Sequence, residues 1–124
     1  MKAINQKAKK VLEKLLSEMK DGYAKIDNTD GAFMPVVVEE VGNNFISLAN
    51  YYEQNGDLIP DPEIIFWKAA DGKFYPTYLK DCLGEQESLF FKDGKPSSIR
   101  PRLQHEQATF AGLWLENIKA QQRI

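Results

Sequence analysis

Residues 33–53, FMPVVVEEVGNNFISLANYYE, decide the fold class of this chain. β-Branched and aromatic residues dominate both halves of the stretch, and Gly-Asn-Asn at 42–44 has the turn chemistry of a β-hairpin. Side chains alternate between the two faces of a strand. In the second half, Ile46, Leu48 and Tyr52 therefore share one face, and Ser47, Ala49 and Tyr51 share the other. The stretch predicts an antiparallel pair of strands over 33–41 and 45–53.

Further hairpin signals follow this pair along the chain. A turn at 54–57 leads into an extended connector that contains Pro60 and Pro62. Two Asp-Gly pairs, Asp71-Gly72 and Asp93-Gly94, then separate aromatic-rich runs, and Asp-Gly between such runs is typical of a tight hairpin turn. The additional predicted strands cover residues 63–68, 73–79 and 87–92.

The two ends of the chain have helical periodicity instead. Apolar residues recur at three- and four-residue steps between Ala3 and Lys20, and Asp21-Gly22 then supplies a stop. After Pro101 the stripe consists of Ala108, Ala111, Leu115 and Ile118. We predict a single α+β domain over residues 1–124. It has an N-terminal helix, an antiparallel meander of about five or six strands, and a C-terminal helix, with both helices packed on one face of the sheet.

Composition limits the class of protein. The chain has 124 residues, 43% of them hydrophobic, and a net charge of −2, which is typical of a globular domain and argues against a dedicated nucleic-acid binder. Cys82 is the only cysteine, so no internal disulfide can form and a reducing compartment fits. We see no secretory signal and no apolar run near the roughly 18 residues that span a membrane. The sequence predicts a cytoplasmic protein without a membrane segment.

Charge is divided unevenly along the chain. Eight acidic residues and no lysine or arginine lie between Asp27 and Trp67, so every basic residue lies outside this stretch. We predict that a protein partner binds an acidic surface with aromatic residues nearby, and we predict no cofactor or metal. The candidate surface residues are Asp57, Asp61, Glu63, Trp67 and Tyr75. Converging carboxylates also suit a hard divalent cation, but turn formation by aspartate explains this cluster better.

A metal-dependent nuclease is the alternative from a different class. Pro60-Asp61 followed by Asp71-Gly72-Lys73 satisfies the loose PD…(D/E)xK pattern, in which two acidic groups hold Mg²⁺ and the lysine orients or activates a water. The catalytic residues would be Asp61, Asp71 and Lys73. Against this, the second acid and the lysine should lie on a strand, whereas Asp71-Gly72 has the composition of a hairpin tip.

Nucleophilic catalysis would have to use the only histidine, His105, and either a serine or Cys82. No Gly-x-Ser-x-Gly elbow surrounds any serine. We predict that His105 lies on the surface in the first turn of the last helix, and that Cys82 is a small, partly buried thiol.

Two other patterns bear on binding. Adjacent aromatic residues in Phe66-Trp67 and Phe74-Tyr75 must face opposite sides of the sheet, so the second face needs cover from a helix, a loop or a partner. Lysines of the first helix could contact phosphates, although charge disfavours a nucleic-acid partner. A solvated helix face with Lys9–Glu13 and Lys14–Glu18 pairs explains them equally well. The lysines concerned are Lys2, Lys7, Lys9, Lys10 and Lys14.

Three segments carry a resemblance: residues 30–39 (DGAFMPVVVE), 46–63 (ISLANYYEQNGDLIPDPE) and 114–122 (WLENIKAQQ). They resemble a family of small uncharacterised proteins carried by conjugative transposons and related mobile elements of gut bacteria. The resemblance covers most of the chain from about Ile26 onward. It implies a setting, an accessory factor encoded beside transfer, replication or anti-restriction functions, and it carries no catalytic residues across.

Overall fold

The computed structural model describes all residues from 1 to 124 and confirms the predicted α+β fold. Strands β1 to β6 form one antiparallel sheet in sequence order, and β7 and β8 pair as a separate hairpin. The elements are α1 (Gln6–Ser17), β1 (Tyr23–Ile26), β2 (Val36–Gly42), β3 (Phe45–Gln54), β4 (Asp57–Lys68), β5 (Phe74–Asp81), β6 (Gly84–Glu87), β7 (Leu89–Lys92), β8 (Lys95–Ile99) and α2 (Pro101–Gln122).

Turn residues fix the hairpins locally. Asn55-Gly56 joins β3 to β4 with φ of 54° and 86°, and Asp93-Gly94 joins β7 to β8 with φ of 55° and 76°. Positive φ at both central residues is the requirement of a type I′ turn, which matches the twist of paired strands. The two-residue turns therefore set the register of both hairpins.

Both helices cover the same face of the sheet, as predicted. Asn5 caps α1 by accepting the Ala8 N–H at 2.8 Å, and Pro101 occupies the first position of α2. The helices run parallel, because contacts advance in the same direction along each of them. Lys2, Asn5 and Lys7 lie beside Thr109, Gly112 and Glu116 respectively.

The hydrophobic core lies between the two helices and this face of the sheet. It combines aliphatic residues from every element that reaches the centre with two phenylalanines and one tryptophan. The core consists of Ile4, Ala8, Val11, Leu12, Leu15, Ala24, Ile26, Val36, Val38, Ile46, Leu48, Ile64, Phe66, Phe74, Ala111, Trp114, Leu115 and Ile118.

Three buried glutamines of α2 form hydrogen bonds to distant parts of the chain. Gln104 accepts the Lys2 N–H at 2.6 Å and donates to the carbonyls of Lys2 at 2.7 Å and Pro76 at 3.2 Å. Gln107 accepts the Ser88 hydroxyl, and Gln122 accepts the Asn28 N–H at 2.9 Å. A buried polar side chain needs such partners. These bonds hold the N-terminal segment, the β6–β7 junction and the β1–β2 loop against α2.

Some boundaries differ from the predicted ones. The helix predicted over residues 3–20 is shorter in the structure. It spans Gln6–Ser17, because Asn5 caps its N-terminus. The predicted connector belongs to β4, which starts at Asp57 and runs through Pro60 and Pro62. Strand β6 was not predicted, since its sequence, Gly-Glu-Gln-Glu, is entirely polar and exposed at the sheet edge. Neither helix combines the length and the apolar character needed to cross a bilayer.

Candidate functional site

The sheet face opposite the helices, called the open face below, presents three rows of cross-strand neighbours. Directly opposed residues of adjacent strands share a face, so the register defines the rows. One row is Lys25, Val37, Ala49, Glu63, Lys80 and Glu85; the next is Tyr23, Glu39, Ser47, Ile65, Tyr78 and Glu87; the last is Phe45, Trp67 and Tyr75.

The β7–β8 hairpin covers the aromatic row. The Phe91 ring lies 4.9 Å from the Phe45 ring and 5.3 Å from the Trp67 ring, measured between centroids. The Tyr75 ring lies 5.8 Å from the Trp67 ring at an interplanar angle of 36°, and Tyr75 is only 9% exposed. The predicted alternation at Phe66-Trp67 and Phe74-Tyr75 is confirmed. Trp67, which contacts Phe91, is half-buried and Tyr75 is buried, so little of either side chain is available at the predicted interaction surface.

The other two rows are uncovered and acidic. The small residues at the centre of these rows, Ser47 and Ala49, are buried beneath the longer side chains around them. The Ser47 hydroxyl donates a hydrogen bond to Glu63 at 2.6 Å. Glu39, Glu63, Glu85 and Glu87 outnumber Lys25 and Lys80 in these rows.

The same carboxylates act on two tyrosines of the open face. Burial, followed by the charges of Glu63 and Glu39, raises the pKa of Tyr51. Burial and a hydrogen bond to Glu85 raise the pKa of Tyr78. Both phenols therefore remain neutral well above physiological pH.

The β3–β4 hairpin extends beyond its neighbours. Strand β2 pairs with β3 only as far as Asn50, and β5 pairs with β4 only as far as Glu63. Residues 51–62, called the β3–β4 arm below, therefore have no strand on either side. With a rise of about 3.3 Å per residue, the four arm residues of β3, 51–54, project roughly 13 Å beyond the end of the neighbouring strand β2.

Apolar and acidic side chains share the arm. Leu58 is 70% exposed, and Glu53 and Asp57 beside it are exposed as well. Leu58 and Glu53 were not among the predicted surface residues. The available signal was the apolar pair Leu58-Ile59 directly after an Asn-Gly turn, where solvent-exposed polar residues are usual.

The three predicted carboxylates do not converge. Asp57 lies at the tip of the arm, Asp61 lies within it and Glu63 lies at its base, so the outer two are separated by six residues of one strand, at most roughly 20 Å. No group of three or more histidine, cysteine, aspartate or glutamate side chains is arranged to hold a metal ion. The structure therefore gives a divalent-cation site no support.

The residues of the nuclease alternative are separated as well. Asp61 lies in the arm, whereas Asp71 and Lys73 lie in the turn after Lys68, about 23 Å of strand away. Asp71 instead shapes this turn. It accepts the Lys73 N–H at 2.9 Å and the Tyr75 hydroxyl at 3.1 Å. The bond from the Lys73 backbone is the main reason that the pKa of Asp71 lies below its ordinary 3.8.

This role of Asp71 gives a pH-dependent prediction. Because its pKa is lower in the folded chain than in the unfolded chain, the stabilisation is complete above the unfolded pKa and is lost as pH falls through the folded pKa. We expect Asp71→Asn to be less stable than the wild type at neutral pH, with the difference shrinking below pH 3.8. Urea unfolding at a series of pH values measures it. A difference that stays constant on acidification would contradict this role.

His105 and Cys82 occupy the surface. His105 is exposed on α2, as predicted. The predicted partial burial of Cys82 is wrong: the thiol is exposed in the β5–β6 turn, beside Leu83, whose side chain also faces solvent. Asp81 accepts the Leu83 N–H at 2.9 Å and so stabilises the turn itself.

Comparison with known proteins gives one match. The family described as a Domain of unknown function (DUF6908) matches residues 2–124. No curated protein and no solved structure matches the chain.

Proposed function

We propose that this chain, which belongs to the DUF6908 family of domains of unknown function, is a non-enzymatic accessory protein that binds a basic partner protein through the β3–β4 arm. The observation that carries this proposal is the arm itself. It leaves the sheet without a strand on either side and exposes Leu58 at its tip among carboxylates. An apolar side chain held out in solvent on a hairpin contributes nothing to the core, whereas it suits a contact.

The negative charge of the arm favours a basic partner. The arm carries Glu53, Asp57 and Asp61, with Glu63 at its base, and the stretch from Asp27 to Trp67 contains no lysine or arginine. Such a surface accelerates encounter with a lysine- or arginine-rich segment and disfavours an acidic one. Leu58, and next to it Ile59, would supply the apolar centre of the contact.

The proposed setting is a mobile genetic element of bacteria. The resemblance of residues 30–39, 46–63 and 114–122 to small proteins of conjugative transposons supports it. Residues 46–63 include the whole arm, so one of the three resembling segments contains the proposed contact. Sequencing the DNA that flanks the gene tests the setting: genes of transfer or replication on either side would support it, and a chromosomal operon of unrelated metabolism would contradict it.

A synthetic peptide in which lysine and valine alternate is the probe for the arm. We expect amide NMR shifts confined to the arm and a Kd that rises with salt, because surface charges are screened. Glu53→Gln/Asp57→Asn should weaken binding about tenfold, at roughly 0.5–1 kcal/mol for each exposed charge. Isothermal titration calorimetry at low salt measures the change.

The matched control is Glu13→Gln/Asp93→Asn, which removes one exposed glutamate and one exposed turn aspartate away from the arm. A second control replaces each lysine of the peptide by glutamate, which should abolish binding. Shifts outside the arm, equal losses in both double variants, or affinity indifferent to salt would each overturn the proposal.

A further inference from the structure

A basic groove runs along the helical side of the molecule, between α1 and the C-terminal half of α2. Two adjoining hollows of about 350 and 280 Å³ share Lys7, Val11, Lys119 and Ile124 in their walls. Lys10, Lys14 and Arg123 also line the hollows, and Glu116 is the only acidic residue there. Five cationic side chains thus face one acidic side chain in a chain whose net charge is negative.

The cations of the groove are mostly unpaired. Lys7 contacts Glu116 at 3.2 Å, and the molecule's one other salt bridge, Arg102–Glu106, lies elsewhere. The Lys14–Glu18 pair that the sequence allowed does not form a salt bridge, nor does Lys9–Glu13. Lys10, Lys14, Lys119 and Arg123 therefore direct uncompensated charge into the groove.

Helix stability alone does not explain this pattern. Lys119 and Arg123 lie at the C-terminal end of α2, where the helix dipole favours a cation. Lys7, however, is in the first turn of α1, where the dipole opposes a cation; that turn contains no acidic residue, and the one partner of Lys7 is Glu116 of α2. Lys10 and Lys14 add like-charge repulsion at four-residue spacing. The positions of Lys7, Lys10 and Lys14 therefore disfavour the helix electrostatically, and an anionic ligand in the groove would relieve this repulsion.

We infer that this groove binds the sugar–phosphate backbone of a nucleic acid without reading its sequence. Lys7 and Lys14 are about 10 Å apart along the helix axis, enough to span more than one phosphate of a strand. The groove has only aliphatic residues, Val11 and Ile124 among them, beside its charges, so no aromatic ring is present to stack a base. Contacts to phosphate position a protein but carry no sequence information.

The inference is independent of the proposed function. The groove lies on the helical side of the sheet, whereas the arm projects from the sheet end between β2 and β5. A chain with both surfaces could hold a basic protein and a nucleic acid at the same time.

Fluorescence anisotropy with labelled DNA of two unrelated sequences tests the groove. We expect Kd of about 10⁻⁴ to 10⁻⁶ M near physiological salt and tighter binding at lower salt, equal for both sequences, with log Kd rising linearly with log salt. Lys10→Gln/Lys14→Gln should weaken binding about tenfold or more and reduce the salt slope by about two, roughly one for each lost phosphate contact. Glutamine retains helix propensity, so the fold should persist.

The control is Lys92→Gln/Lys95→Gln, two exposed lysines of the β7–β8 hairpin, which should leave affinity within about twofold of the wild type. Amide shifts on residues 7–14 and 119–124 should accompany binding. The inference fails if DNA does not bind at low salt, if both double variants lose affinity equally, or if one sequence is strongly preferred. Binding to vesicles containing phosphatidylserine in place of DNA would identify a membrane surface instead and would also overturn it.

Discussion

Phe66→Ala should lower the free energy of unfolding by about 3–5 kcal/mol, the cost of truncating a buried phenylalanine. Phe66 is fully buried on the helix-facing side of β4, between Ile46 of β3 and Pro76 of β5. Truncation would leave a cavity between sheet and helices that the paired strands cannot close. Since domains of this kind have roughly 5–15 kcal/mol of stability, about a fifth or more would be lost. Urea unfolding followed by circular dichroism measures the change.

Phe33→Ala is the matched substitution outside the core. Phe33 is 46% exposed in the β1–β2 loop, so its replacement should cost well under about 1 kcal/mol. Comparable losses in the two variants would show that burial at Phe66 does not control stability.

Gln104→Ala should cost about 2–4 kcal/mol, although no apolar core residue is touched. The substitution removes three hydrogen bonds at once and leaves the buried Pro76 carbonyl without its side-chain partner. An unsatisfied buried group costs about 1–3 kcal/mol. The N-terminal segment should loosen as well. The Ile4 N–H, which donates to the Phe74 carbonyl at 3.0 Å, should therefore exchange with solvent faster in the variant.

Gln121→Ala tests whether the loss is specific. Gln121 is on the same helix and is partly exposed, so the identical substitution should cost about 0.5 kcal/mol or less. Hydrogen exchange at Ile4 should stay at the wild-type rate. If the Gln104 variant lost stability without faster exchange at Ile4, the glutamine would act through packing and would not tether the N-terminal segment.

The parts of the fold that depend on local pattern could be predicted from the sequence. Alternation in residues 45–53 and the Asp-Gly turns determined the meander, and the helical stripes placed both helices on one face. The all-polar β6 could not be found in this way, because an exposed edge strand needs no apolar side chains. Pro60 and Pro62 predicted a connector where β4 runs. Proline is tolerated there because this part of the strand has no outer neighbour that needs the missing N–H groups.

The candidate sites depended on long-range geometry, which the sequence does not display. Asp61 and Asp71 are ten positions apart in the chain, yet the intervening strand keeps them far from each other. Conversely, Lys14 and Lys119 line one groove only because α1 and α2 run side by side. The acidic stretch was visible in the sequence. That the β3–β4 arm has no neighbouring strand was not, because it depends on where β2 and β5 stop pairing.

The contact between α1 and α2 also constrains when this chain can fold. Gln104 and its partner Lys2 are separated by 102 positions, so their contact closes nearly the whole chain into a loop and raises the contact order. During synthesis the meander emerges well before α2, and its apolar face then has only α1 to cover it. The domain must therefore complete its folding after α2 has left the ribosome. Until then the apolar face of the nascent sheet is incompletely covered, which is the condition that favours aggregation.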